Sequence, residues 1–210
     1  MRQNARMKKI YDRAYFDRWY RHSRHAVNTP ALLERKAALT IAVAEYYLGR
    51  RVRNVFDVGC GEGAWRATLK KLRPRIDYLG IDSSEYAIAR YGRSRNLRLV
   101  DFGQLGELRF EGNFDLIVCS DVIHYLPSAE LRRGLAGIAD MLAGVAFLEL
   151  FTSEDALDGD KHGFIARTPT WYRSTFAQAG LTPCGTHCYL GPKLEGSVAA
   201  LEVLKNGKAV

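Results

Sequence analysis

Residues 55–63 read Val-Phe-Asp-Val-Gly-Cys-Gly-Glu-Gly, an apolar run that breaks into glycines at alternate positions. No other segment constrains the fold as strongly. Val55 to Val58 has the pattern of a buried parallel strand, and Ala64 to Leu72 reads as the helix after it. Gly59, Gly61 and Gly63 fall in the turn between them. Glycine there accepts positive φ and lets the backbone come close to a bound molecule. A glycine-rich turn from strand to helix is a cradle for a nucleotide-like ligand.

The rest of the chain repeats this alternation. Strands are expected at 54–58, 77–82, 97–101, 114–119 and 144–150, and helices at 62–72, 84–93, 128–142 and 168–179. Thr29-Pro30 and Thr168-Pro169 each pair a capping hydroxyl with Pro at the first helical position. Gly49 stops the helix expected over 31–48. Upstream, Met7, Ile10, Tyr11, Ala14, Tyr15 and Trp19 recur at spacings of three and four, which predicts one aromatic-rich helical face. At the other end, LTPCGTHCYL and SVAALEVLK read as two antiparallel strands around a turn rich in Gly and Pro. The expected fold is α/β: a doubly wound, mostly parallel seven-stranded sheet with an antiparallel C-terminal hairpin and N-terminal helices. No linker or repeat interrupts it, so residues 1–50, a helical arm, and 51–210 count as one domain.

Composition bounds the class. The chain is 47% hydrophobic and 26% charged, as in soluble globular proteins. It has no run of about 18 apolar residues, so no membrane span is expected. The basic first stretch lacks an apolar core, so no secretory signal is expected. Cys60, Cys119, Cys184 and Cys188 are too few and too irregular for a disulfide framework, which points to a cytoplasmic location. His187 with Cys184 and Cys188 lacks a second ligand pair, so no metal site is expected. Residues 1–30 hold eight Lys or Arg and two Asp, which is +6 of the formal +8. Such an arm attracts nucleic acid, anionic lipid or an acidic substrate, although a solvated basic helix face is the simpler reading.

Ligands of open α/β sheets lie at the carboxyl ends of the strands. Strand two ends in Asp82, 19 residues after Gly63, and a carboxylate there can accept from both hydroxyls of a ribose. Strand three leads into Asp101-Phe102, an acceptor beside a flat ring. Strand four ends at Cys119-Ser120 and enters a loop with Asp121, His124 and Tyr125. Nicotinamide, flavin and S-adenosylmethionine (SAM) sites all use such a glycine turn. A dinucleotide, however, would set its pyrophosphate where Glu62 stands. A sulfonium without phosphate suits the acidic lining better.

VFDVGCGEG, YLGID, LVDF and FDLIVCSDVIHYL, in this order over roughly 52–150, resemble the successive motifs of class I SAM-dependent methyltransferases. The resemblance implies SAM as cofactor and S-adenosylhomocysteine (SAH) as its product. Asp57 and the turn of Gly59, Cys60 and Gly61 would hold the methionine end. Asp82 and Ser83 would take the ribose, Asp101 and Phe102 would meet the adenine, and Ser120 would lie beside the methyl. The segment before strand one would be a lid of Tyr11, Tyr15, Phe16, Trp19 and Tyr20. His124 is the first candidate for a general base, and His162 in DGDKHGF is the second. Tyr15, Trp19, Tyr125 and Tyr172 are expected to line the acceptor pocket, joined by Arg167, Trp171 and Arg173. Cys60 and Cys119 read as packing residues rather than nucleophiles.

The acceptor leaves a fainter trace. An Asn/Asp-Pro-Pro-aromatic run would mark methylation of an exocyclic base amine, and here the sequence is SDVIHY. A cytosine-C5 enzyme needs a catalytic cysteine, and Cys119 closes a buried strand instead. The expectation is methyl transfer to an O or N atom of a small molecule. RNA methylation using the basic arm, or a non-catalytic SAM-binding subunit, are the alternatives.

Overall fold

The computed structural model describes residues 9–21, 29–156 and 159–200. In chain order the elements are α1 (Arg13–Phe16), a π turn (Asp17–Arg21), α2 (Pro30–Leu48), β1 (Asn54–Val58), α3 (Ala64–Leu72), β2 (Asp77–Asp82), α4 (Glu85–Arg95), β3 (Leu97–Leu99), β4 (Phe114–Ser120), α5 (Ser128–Met141), β5 (Leu142–Glu149), α6 (Pro169–Gln178), β6 (Thr182–Pro183) and β7 (Cys188–Leu190). Short 3₁₀ turns lie at Phe102–Glu107, Ile123–Tyr125 and Pro192–Ser197.

The strands form one seven-stranded sheet in the order β3-β2-β1-β4-β5-β7-β6. β3 through β5 run parallel, and β7 is antiparallel to both β5 and β6. Chain order reverses between β1 and β4, which opens the crevice where such sheets bind ligands. Side chains alternate between faces along each strand. Phe56, Ile117 and Leu148 pack with α5 and α6 on one face. Val55, Leu116 and Phe147 pack with α2 and α3 on the other. Both faces are apolar, so helices cover both. Among the described strand residues, Asp57 of β1 and Asp115 of β4 are the buried charged exceptions, at 2% and 3% exposure. Among the described residues, no helix is long and apolar enough to cross a membrane.

Three expectations need correction. The first helix is short: Asp12 caps it, accepting from the Tyr15 amide at 2.9 Å, so Ile10 and Tyr11 precede it, and Met7 lies outside the described residues. β3 ends at Leu99 rather than 101, because Asp101 caps the following 3₁₀ turn with Gln104. The terminal hairpin lies wholly within LTPCGTHCYL, turning at Gly185-Thr186-His187 where φ is positive at all three residues. The second expected run instead starts where a 3₁₀ turn ends, and its residues 201–205 lie outside the described part.

Candidate active site

The glycine turn is held by what surrounds it. Gly59, Gly61 and Gly63 have φ of 70°, 52° and 77°. The amides of Gly59 and Cys60 both donate to the Ile81 carbonyl, at 2.8 and 2.9 Å. A Cβ on Gly59 would drive into Val122, and one on Gly61 would sit 3.0 Å from the Phe16 ring. The two glycines therefore face the crevice and the N-terminal arm, where only backbone fits.

Asp82 ends β2 and braces this turn. Its Oδ2 accepts from the Gly61 amide at 2.7 Å and its Oδ1 from the Ser84 amide at 2.8 Å. Each oxygen keeps a lone pair for hydroxyls. Burial pushes this carboxyl upward, opposed by the bonds from Gly61, Ser84 and Ser83. Asp57 lies deeper. It accepts from the Tyr78 hydroxyl at 2.6 Å, and burial, with Asp82 nearby, pushes it up to about 7 against that hydrogen bond. Ser120 donates to Glu149 Oε2 at 2.6 Å, and Lys36 of α2 reaches the same oxygen at 2.6 Å.

Two adjoining cavities meet at the turn. One, of about 110 Å³, is lined by Asp82, Ser83, Asp101, Phe102, Ser120 and Tyr125, among others. The second, of about 330 Å³, is lined by Asp57, Gly59, Cys60, Gly61, Glu62 and Trp65, among others. The expected cofactor residues thus come together. The first cavity is smaller than the roughly 300 Å³ usual for a small-molecule site. Tyr11, Tyr15, Phe16 and Tyr20 of the arm stand against it. Contacts with the body hold the arm there. Ser84 Oγ donates to the Tyr11 carbonyl at 2.5 Å, Arg21 pairs with Glu62, and Lys9 pairs with Asp160 at 2.5 Å. A third, open groove of about 760 Å³ continues past Tyr11 and Tyr125 toward Asp101, Glu130 and His162.

The residues present fit a sulfonium nucleoside. The turn offers close backbone approach, Asp82 offers acceptors at a ribose position, and Phe102, packed over Gly134, gives a flat wall. The lining acids Asp57, Glu62, Asp82 and Asp121 favour a cation and repel a pyrophosphate.

Other expected residues lie elsewhere. His124 is 1% exposed, and its Nδ1 accepts from the Phe151 amide at 3.3 Å. Its ring packs on Tyr125, Phe151 and Phe164, and burial depresses it to about 4. It lines none of the three cavities; it ties the β4 loop to the segment after β5. Tyr172 is 3% exposed and packs on Phe176, with its hydroxyl accepting from Arg167 at 3.3 Å. Arg167 spends its guanidinium on the Leu126 carbonyl at 2.6 Å and on the Trp171 ring. Trp19 carries the Arg18 guanidinium on its ring and lines none of the three cavities. His162 does face the third groove. Cys60 and Cys119 are buried, and burial raises both thiols far from reactivity. Lys9 and Asp160 were not expected at the site. Lys9 reads as one more charge in a basic run, and Asp160 as part of a polar loop.

Known proteins resemble this chain in part of its sequence and in its fold. Residues 56–147 match the family model described as a methyltransferase domain. An 80-residue segment is 36% identical to trans-aconitate 2-methyltransferase of Deinococcus radiodurans. It covers 37% of this chain and 30% of that protein, so this chain spans less than a third of that relative. DesVI of Streptomyces venezuelae superposes with a TM-score of 0.59 at 17% identity, over 77% of this chain and 90% of that one. CalS10, an amino pentose methyltransferase from Micromonospora echinaspora with SAM bound, gives 0.58 at 19% identity, over 75% and 90%. The two structures share the fold.

Proposed function

We propose that this chain is a class I SAM-dependent methyltransferase, a reading supported by the methyltransferase-domain match over residues 56–147, and that it transfers a methyl group to an O or N atom of a small-molecule acceptor in the cytoplasm. When bound, SAM supplies an activated methyl on a sulfonium, which needs alignment with a nucleophile more than it needs acid or base. Asp57 and the backbone of Gly59 to Gly61 would hold its methionine end, Asp82 and Ser83 its ribose, and Asp101 and Phe102 its adenine. Ser120, fixed by Glu149, would set the wall beside the methyl. The arm acts as a lid that excludes water from the reacting atoms.

The observation that carries the acceptor reading is the arm over the strand ends. It leaves a groove of about 760 Å³, the size of a small-molecule site. Asp101, Glu107 and Glu130 outnumber Arg133 and Lys9 along it. That lining repels a phosphate backbone, so RNA is the weaker reading. With His124 packed away, His162 and the groove carboxylates Asp101, Glu107 and Glu130 stand where an acceptor proton would be taken.

The test is a panel of hydroxyl and amine acceptors incubated with SAM, with SAH formation as the readout. Turnover of a small acceptor, unchanged when salt is raised, is the expected result. Methyl incorporation only into RNA, falling steeply with salt, would overturn it.

A further inference from the structure

The arm ends its path over the site in an aromatic cage. Lys9 Nζ lies 3.8 Å from the Tyr125 ring centroid, 5.2 Å from that of Tyr15 and 5.4 Å from that of Tyr11. Asp160 Oδ2 stands 2.5 Å away, and both side chains of the pair are nearly buried, at 13% and 12% exposure. The cage is built, not incidental. The Tyr125 hydroxyl donates to the Asp160 carbonyl at 2.6 Å, which fixes the ring beside the carboxylate. The His162 amide donates to Asp160 Oδ1 at 2.8 Å, which orients the acid. Three rings and one carboxylate around a positive nitrogen form the arrangement that recognises an ammonium group.

Lysine is a poor match for the cage. Its ammonium is compact and strongly hydrated, and burial here drives its pKa down despite the Asp160 partner. An alkylated ammonium loses less hydration and gains more from the rings. The cage also opens onto the groove expected to admit the acceptor: Lys9, Tyr11 and Tyr125 line that groove, with Asp101, Glu107 and Glu130 farther along.

We propose that Tyr11, Tyr15, Tyr125 and Asp160 form a subsite for a cationic nitrogen of the acceptor, and that Lys9 of the arm holds this subsite until the acceptor arrives. The inference rests on the methyltransferase reading and narrows its acceptor to amine-bearing molecules. Lys9 is then an internal competitor, and Tyr125 and Asp160 are positioning residues for substrate.

The probe is choline chloride, set against tert-butylethanol, in which carbon replaces the quaternary nitrogen. Both are titrated calorimetrically into the full chain, with SAH titrated into every variant as the control. Lys9→Ala is expected to bind choline about tenfold more tightly than wild type, because the competing occupant is gone. Tert-butylethanol is expected to bind neither protein. Adding Asp160→Asn to Lys9→Ala is expected to abolish choline binding while SAH binding persists. Equal binding of choline and tert-butylethanol, or no choline binding by a Lys9→Ala protein that binds SAH, would overturn this inference alone and leave Lys9 a mechanical latch. Failure of folded wild type to bind SAH would overturn the methyltransferase reading and this inference with it.

Discussion

The proposed place of Asp57 at the methionine end predicts that the affinity for SAH depends on pH in a way a surface carboxylate would not produce. Its carboxyl is buried, hydrogen-bonded by Tyr78, and raised to about 7. Near neutrality the free protein is therefore a mixture of protonated and ionised forms. The ammonium at the methionine end of SAH pairs well only with the ionised form. At pH 6 about one-tenth of the carboxyl is ionised, and at pH 8 about nine-tenths. Apparent affinity scales with the competent fraction, so it rises about tenfold across this interval, or about 1.4 kcal/mol. The direction is fixed by the shift: a raised carboxyl pKa delays ionisation, so binding strengthens as pH rises through 7. Calorimetric titration of SAH at several pH values between 6 and 8 measures it, and Asp57→Asn supplies the flat control. His124, depressed to about 4, stays neutral throughout that interval. A flat profile in wild type, or an unchanged slope in Asp57→Asn, would refute the assignment of Asp57 to the methionine end.

Three more expectations follow from single contacts. His124 is buried neutral, so the unfolded chain binds a proton between about 6.5 and 4 that the native state does not. Stability is whole above pH 6.5 and falls by roughly 3 kcal/mol on acidification to about 4. Urea unfolding of His124→Asn across that range should show the loss removed. Gly59→Val forces a branched side chain to φ of 70° against Val122, and should lower the melting temperature and abolish SAH binding. Asp115 receives Arg50 in a bidentate pair, both distances 2.7 Å, and the Arg53 amide at 2.8 Å. Asp115→Ala should cost about 2–3 kcal/mol in chemical denaturation while leaving SAH affinity unchanged, because this clamp lies at the opposite end of the sheet.

The legible parts were those set by local chemistry. The glycine turn, the acids at the ends of β1 and β2, the Thr-Pro caps and the alternating apolar runs each act over a few residues, and they place the sheet and its crevice. The misplaced side chains depend on distant partners. His124 is buried by Phe151 and Phe164, which follow β5, so nothing around residue 124 predicts its burial. Trp19 sits on the expected helical face only if the helix is regular. The π turn over Asp17–Arg21 shifts the phase of the residues after Phe16, the buried residue of α1. The hairpin is displaced because the residues at 186 and 187 accept positive φ, a choice that composition does not announce. Lys9 and Asp160 meet across 151 residues of chain, and only folding brings them together.

The central claim is that the strand ends around Asp82 hold a SAM-type nucleoside. Titration of SAH into wild type and Asp82→Asn, with circular dichroism to verify that both are folded, tests it most directly. The account predicts micromolar binding by wild type and a loss of about a hundredfold in the variant, since Asp82 braces the glycine turn and, in the proposed reading, also accepts from the ribose. Equal binding by the two folded proteins, or none by wild type, would contradict it.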